Sequence, residues 1–123
     1  MATPAVAVPV GIVTPSDTHA NAELAKLTGF LKARFEFVET QLKLGREHPV
    51  KGIKTLKSEI LTLHNAQNFG KSRQEIGKSL REIQNQRRFV YEEYMKGSRV
   101  SGVKGDLTKM SNAIDEFISS FNL

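Results

Sequence analysis

The stretch LAKLTGFLKARFEFVETQLKL, residues 24–44, determines the fold class. Its apolar residues recur at spacings of three and four, which is the repeat of an α-helix. The main series is Leu24, Leu27, Leu31, Phe35, Val38 and Leu42. A second series, Phe30, Phe37 and Leu44, widens the apolar face to about half of the circumference at 100° per residue. A helix that packs against one neighbour needs a narrower apolar face. We therefore predict that this face is buried within the subunit and also against a second subunit or the N-terminal arm. The second series is the predicted oligomer interface.

The predicted first helix spans residues 19–44, because residues 16–18 are acceptable N-caps and Gly45 is a plausible C-terminal stop. Residues 1–18 show no helical periodicity and contain Pro4, Pro9 and Pro15. Each proline lacks a backbone donor and disfavours helix in the residue before it. We therefore predict an extended or disordered apolar arm, followed by a single helical domain over residues 19–123.

Further amphipathic patterns predict three more helices, over residues 49–69, 72–96 and 106–121. Pro49 suits the first turn of a helix, and Ser72 with Glu75 fits a capping box. Residues 97–105 are rich in glycine and indicate a flexible basic loop. With no strand pattern and no repeat, the sequence predicts an all-α fold: a small bundle, or helical hairpins completed by dimerisation.

The composition of the 123-residue chain excludes several classes. The absence of cysteine rules out disulfides, thiolate catalysis and cysteine-based metal sites. No apolar run is long enough for a membrane span, and the N-terminus lacks the basic start of a signal peptide. We expect a soluble, intracellular protein that is cytoplasmic or part of a virion.

Positive charge is concentrated in the middle of the chain. The net charge is +5, but residues 49–104 carry twelve basic and five acidic side chains, whereas residues 1–48 carry five of each. A concentrated positive field attracts polyanions such as nucleic acid, an acidic membrane or an acidic protein.

No pattern of a catalytic site is present. His19, His48 and His64 are not spaced three or four apart, and no HExxH sequence occurs. The adjacent Glu92 and Glu93 point about 100° apart on a helix, so they do not form a pair of catalytic carboxylates. There is neither a nucleotide-binding glycine loop nor a nucleophile elbow. We expect no enzyme activity, no catalytic residue, no cofactor and no metal.

One polar pattern stands out on the predicted third helix. Basic and amide side chains recur there at spacings of three and four, opposite the apolar face. We call this set the basic ladder; it consists of Lys71, Gln74, Lys78, Arg81, Asn85 and Arg88. A merely solvated face usually mixes charges, whereas this one has no acid until Glu92. Lys51, Lys54 and Lys57 on the second helix would extend the surface.

The ladder predicts a non-enzymatic nucleic-acid-binding protein, most simply a homodimer. The chain has no aromatic platform for single strands and no RNP, zinc-finger or zipper motif. The protein would therefore recognise the phosphate backbone and the shape of its target rather than its base sequence, which favours duplex RNA over DNA.

Arg87 falls near the centre of the apolar arc of the third helix. We predict that it pairs with Glu36 or Glu39 of the first helix, or lies in the oligomer interface. The alternative function is a coat- or scaffold-like assembly protein that self-associates through its first helix and arm. Small viral proteins that bind RNA or form coats use basic helices similarly, an analogy of architecture alone.

Overall fold

The computed structural model describes residues 15–44, 50–66, 71–97 and 101–123, which form four helices and no strand. The helices are α1 (Pro15–Leu44), α2 (Ile53–Asn65), α3 (Arg73–Met95) and α4 (Ser101–Phe121). The predicted all-α class is confirmed for this part of the chain. No helix within these ranges is both long enough and apolar enough to span a membrane.

The helices form a closed ring of neighbours. α1 packs against α2 and α4, and α3 packs against the same two helices. Lys57 near the start of α2 lies 3.2 Å from Glu39 near the end of α1, so these helices are antiparallel. His19 at the start of α1 contacts Phe121 at the end of α4, with ring centroids 5.4 Å apart. The arrangement is an up-and-down four-helix bundle within one chain, in which α1 and α3 occupy diagonal corners.

The core follows the apolar series read from the sequence. In α1, Leu24, Leu27, Leu31, Phe35 and Val38 are buried. The other helices add Leu56, Ile60, Leu63, Ile76, Leu80, Ile83, Val90, Tyr94, Val103, Leu107, Met110, Ile114 and Phe117. These residues form one hydrophobic cluster. Burial of such side chains is the main favourable contribution to the stability of a small domain.

Two helices begin earlier than predicted. α1 begins at Pro15 rather than at residue 19, and a proline is well accommodated where no backbone donor is needed. α4 begins at Ser101 rather than at residue 106, so most of the predicted loop is wrong. Val103 explains the second difference: it is 1% exposed, one turn before Leu107, and its burial outweighs the low helix propensity of two glycines. Residues 15–18 of the predicted arm are helical, and its residues 1–14 lie outside the described residues.

α2 is shorter than the predicted 49–69. It begins at Ile53, after residues 50–52, and ends before Ala66. Pro49, the predicted first-turn residue, lies outside the described ranges. The N-cap is Gly52, with a left-handed backbone at φ 88°. A Cβ atom there would lie 2.5 Å from Gln86 Nε2 and 2.7 Å from the Phe89 ring. Only glycine fits this conformation and this close approach to α3.

The start of α3 has the predicted capping box. Ser72 Oγ accepts a hydrogen bond from the Glu75 backbone N–H at 3.2 Å. The Glu75 carboxylate in turn accepts one from the Ser72 backbone N–H at 3.0 Å. These two bonds satisfy donors that a helix N-terminus leaves unpaired.

We expect Ser72→Ala to lower the free energy of unfolding by about 1 kcal/mol, because one N-cap acceptor is lost. The hydrogen bonds from Ser72 also lower the pKa of Glu75 below its ordinary 4.5. The stabilisation that these hydrogen bonds give to the folded state is therefore complete above pH 4.5. It disappears as pH falls through the lower folded-state pKa of Glu75. Urea unfolding at pH 7 and pH 3 measures both effects. The pH-dependent part is measured on Glu75→Gln, because Ser72→Ala keeps the backbone N–H that donates to the carboxylate. A loss of stability in Glu75→Gln that is equal at the two pH values would contradict this pH dependence.

Candidate nucleic-acid interface

The basic ladder lies on the solvent side of α3. Gln74, Lys78, Arg81, Asn85 and Arg88 are exposed, and Lys71 is half-buried. The Lys71 backbone is fixed to α1, because its carbonyl accepts a hydrogen bond from Asn21 Nδ2 at 2.8 Å. The residues from Gln74 to Arg88 extend over about 21 Å at 1.5 Å per residue.

Three of the four bases of the ladder form no ion pair within the described residues, whereas Lys71 acts electrostatically on Glu75. Among the described residues, no carboxylate lies within 4 Å of a side-chain nitrogen of Lys78, Arg81 or Arg88. By contrast, Lys26, Lys57 and Lys96, elsewhere on the surface, each pair with a glutamate. The ladder therefore presents positive charge with unoccupied donors, which is what an anionic polymer requires.

Carboxylates lie on the other edge of α3, toward α2. A groove of about 190 Å³ between these helices is lined by Glu59, Glu82, Lys71 and other side chains. Burial raises the pKa of Glu59, and the negative charge of Glu82 raises it further. Glu59 Oε1 is buried and has no hydrogen-bond partner in the described part of the chain. The sequence did not indicate this pair, because its members are on different helices.

The lysines of α2 and of the turn before it differ in their surroundings. Lys57 reaches toward α1, where it pairs with Glu39. Lys54 is exposed one turn earlier on the same helix, before the groove with Glu59 and Glu82, whose α2 lining begins at Ser58. Lys51 is also exposed and acts electrostatically on Glu93 near the end of α3. The structure thus directs Lys57 toward α1, whereas the role of Lys51 and Lys54 in the interface stays a prediction.

Arg87 is 9% exposed and takes part in a polar network between α3 and α4. Its Nε donates a hydrogen bond to Gln84 Oε1 at 2.7 Å. Gln84 Nε2 in turn donates to Ser111 Oγ at 3.1 Å and to Asp115 Oδ1 at 2.9 Å. The guanidinium carbon lies 5.9 Å from the centroid of the Tyr91 ring.

The predicted pairing of Arg87 with Glu36 or Glu39 is wrong. Its polar neighbours are on α3 and α4, and Glu39 pairs with Lys57 instead. The reason is the ring order of the helices, because α1 and α3 occupy diagonal corners. The sequence placed Arg87 in the apolar arc but did not reveal which helix would face it.

The predicted second series on α1 remains at the surface of the single chain. Phe30 is 39% exposed and Phe37 is 50% exposed. The Arg34 guanidinium lies between them, 5.6 Å and 4.7 Å from their ring centroids. Arg34 Nη1 is also 3.5 Å from Asp106 Oδ1 of α4, so the cluster is on the α1/α4 side. The Leu44 side chain lies outside the described set. Sequence reasoning missed Arg34, although its position between the two rings on α1 was visible.

The histidines do not form a common site. His64 Nδ1 lies 2.9 Å from the Oγ1 of the fully buried Thr28, in the α1/α2 contact. His19 lines an open cavity of about 690 Å³ at one end of the bundle, together with Glu23, Arg73 and Glu116. His48 falls outside the described residues. In the ranges that are described, no three histidine or carboxylate side chains come together as metal ligands would.

Comparison with known proteins supplies no relative. Neither a protein-family model, nor a curated protein, nor a solved structure matches this chain. The chemistry and geometry of the basic ladder and of its neighbours are therefore the basis for a functional proposal.

Proposed function

We propose that the protein is a non-enzymatic nucleic-acid-binding protein that contacts the phosphate backbone of duplex RNA through the basic ladder. The supporting observation is the strip of exposed bases on α3 that no carboxylate within the described ranges neutralises. Lys78, Arg81 and Arg88 supply the charge. Gln74 and Asn85 add neutral donors for phosphate or sugar oxygens.

The kind of side chain present favours a double-stranded target. A single-strand binder stacks bases on several aromatic rings, whereas Phe89 is the large aromatic residue exposed on the described part of α3. Sequence-independent recognition of duplex RNA uses its phosphates and 2′-hydroxyl groups. Charged and amide side chains on one helix suit that recognition.

The test is a titration of the protein with fluorescent duplex RNA, duplex DNA and single-stranded RNA at two salt concentrations. We expect duplex RNA to bind most tightly and its affinity to fall steeply with salt. Absence of binding, or equally weak binding to all three that vanishes near physiological salt, would contradict the proposal.

A second candidate function, self-assembly as in a coat or scaffold protein, is favoured by the exposed rings of Phe30 and Phe37. Large exposed apolar side chains that cluster often mark an interaction surface. The predicted dimer is compatible with either candidate, whereas the predicted role of the arm belongs to this one. Arg34, held between the rings and by Asp106, would keep the surface in one arrangement.

We expect Phe30→Ser with Phe37→Ser to weaken self-association at least about tenfold, because two partly exposed rings lose their apolar contact. Sedimentation equilibrium measures the change. Phe89→Ser is the control, because Phe89 is also 39% exposed but lies on α3. A wild-type protein that is monomeric at all concentrations would contradict the candidate.

A further inference from the structure

Arg87 is a buried cation with unused hydrogen-bond donors. Of its five N–H groups, only the one on Nε has an acceptor in the described ranges. The two terminal nitrogens are not among the fully buried polar atoms that lack a partner, so they reach the surface. The residue as a whole is only 9% exposed, so its guanidinium has lost most of its contact with water and has no counter-ion within 4 Å in the described structure.

The charges around Arg87 do not compensate it. Arg88 is the next residue and has the same sign. Asp115 of α4 is held by Gln84 and makes no ion pair with Arg87 within 4 Å in the described structure. Burial lowers the pKa of Arg87, Arg88 lowers it further, and Asp115 opposes them more weakly. A buried charge in this condition is unfavourable unless an anion binds to it.

The orientation of the guanidinium suits an oxyanion. Because Gln84 holds Nε on one side, the two terminal nitrogens remain as a pair on the end of the group. Such a pair donates two parallel hydrogen bonds to two oxygens of a phosphate. Gln84 is itself fixed to Ser111 and Asp115, so the guanidinium has a defined position before any ligand arrives.

We propose that Arg87 is the buried anchor of a phosphate-binding site at the α3/α4 contact, and that the site takes one phosphodiester group of the bound nucleic acid. The inference rests on the proposed function and extends it, because it adds a fixed position to a strip of mobile surface bases. Arg87 comes from the buried face of α3 rather than from the ladder face, but Arg88 of the ladder lies close enough to act on it electrostatically. A phosphate chain supplies anions to Arg87 and to the ladder together, whereas a single carboxylate of a second subunit would neutralise Arg87 alone.

The decisive variant is Arg87→Met, which keeps the length of the side chain but removes the charge. We expect the affinity for duplex RNA to fall about tenfold, with a salt slope smaller by about one. Because an unpaired buried charge is lost, the melting temperature should stay the same or rise. Arg87→Lys keeps the charge without the paired donors and should recover less than half of the lost binding energy.

A structural role of Arg87 predicts the opposite result for stability. If Arg87→Met melts well below wild type, or does not fold, Arg87 is a packing residue and the inference is overturned. Arg88→Gln is the matched control, because Arg88 is exposed on the same helix. It should weaken RNA binding without changing the melting temperature.

A second measurement uses inorganic phosphate and the intact protein. At constant ionic strength, phosphate should raise the melting temperature relative to chloride in wild type and in Arg88→Gln, but not in Arg87→Met. If wild type binds duplex RNA and Arg87→Met binds it equally well, the inference fails and the proposed function stands.

The opposite combination separates the two proposals. If wild type does not bind RNA but phosphate stabilises it through Arg87, the anion site stands and the proposed function fails. If Arg87→Met instead converts a dimer into a monomer, a carboxylate of a second copy is the occupant, which overturns the phosphate site.

Discussion

Replacement of Lys78, Arg81 and Arg88 by glutamine is expected to lower the affinity for duplex RNA at least about a hundredfold, because each base contributes a charge-assisted contact with phosphate. The three side chains are exposed and have no ion pair in the described structure, so the fold should be unaffected. The salt slope should fall by about 2.7, at about 0.9 for each lost contact. Fluorescence anisotropy over a series of salt concentrations measures both quantities, and circular dichroism checks the fold.

The control for this variant removes the same number of charges elsewhere. Lys32, Lys104 and Lys109 are exposed on α1 and α4. Their replacement by glutamine should weaken RNA binding less than tenfold, because long-range attraction alone is reduced. Lys54→Gln, measured separately, tests whether α2 extends the interface. Equal losses in the two triple variants would mean that net charge, rather than the ladder on α3, determines binding.

The faces of the helices could be predicted from the sequence because burial repeats with the helical turn. The series from Leu24 to Val38 is buried as predicted. The exposed positions of the ladder are also those that the periodicity of α3 indicated. The capping box at Ser72 was readable because its two hydrogen bonds are local and need only a spacing of three residues.

Contacts between helices could not be predicted in the same way. The periodicity of a helix gives the direction of a face but not the identity of its neighbour. The closed ring places Arg87 against α4 and directs Lys57 toward Glu39. It also brings Glu59 and Glu82 together. Each of these depends on which helices are adjacent, and that order is a property of the assembled bundle.

Gly52 is the residue whose role depends most on this assembly. Gly52→Ala is expected to lower the free energy of unfolding by about 2 to 4 kcal/mol. One cause is local, because φ 88° is unfavourable for any residue with a Cβ atom. The other is tertiary, because that Cβ atom would lie 2.7 Å from the Phe89 ring and displace it. The hydrogen bond from Gln86 Nε2 to the Gly52 carbonyl, at 3.3 Å, would be disturbed as well.

Urea unfolding of Gly52→Ala and of Gly105→Ala separates these causes from a general effect of replacing glycine. Gly105 is exposed within α4, and a Cβ atom there would have nothing within 4 Å. Alanine at that position should therefore raise the free energy of unfolding by up to about 1 kcal/mol, the difference in helix propensity. If Gly52→Ala unfolded at the same urea concentration as wild type, the left-handed turn before α2 would not exist in solution. The double variant Gly52→Ala with Phe89→Ala lacks the contact with the ring but keeps the strained backbone and the 2.5 Å approach to Gln86 Nε2. Measured against Phe89→Ala alone, its loss should therefore be smaller only by the part that the ring causes.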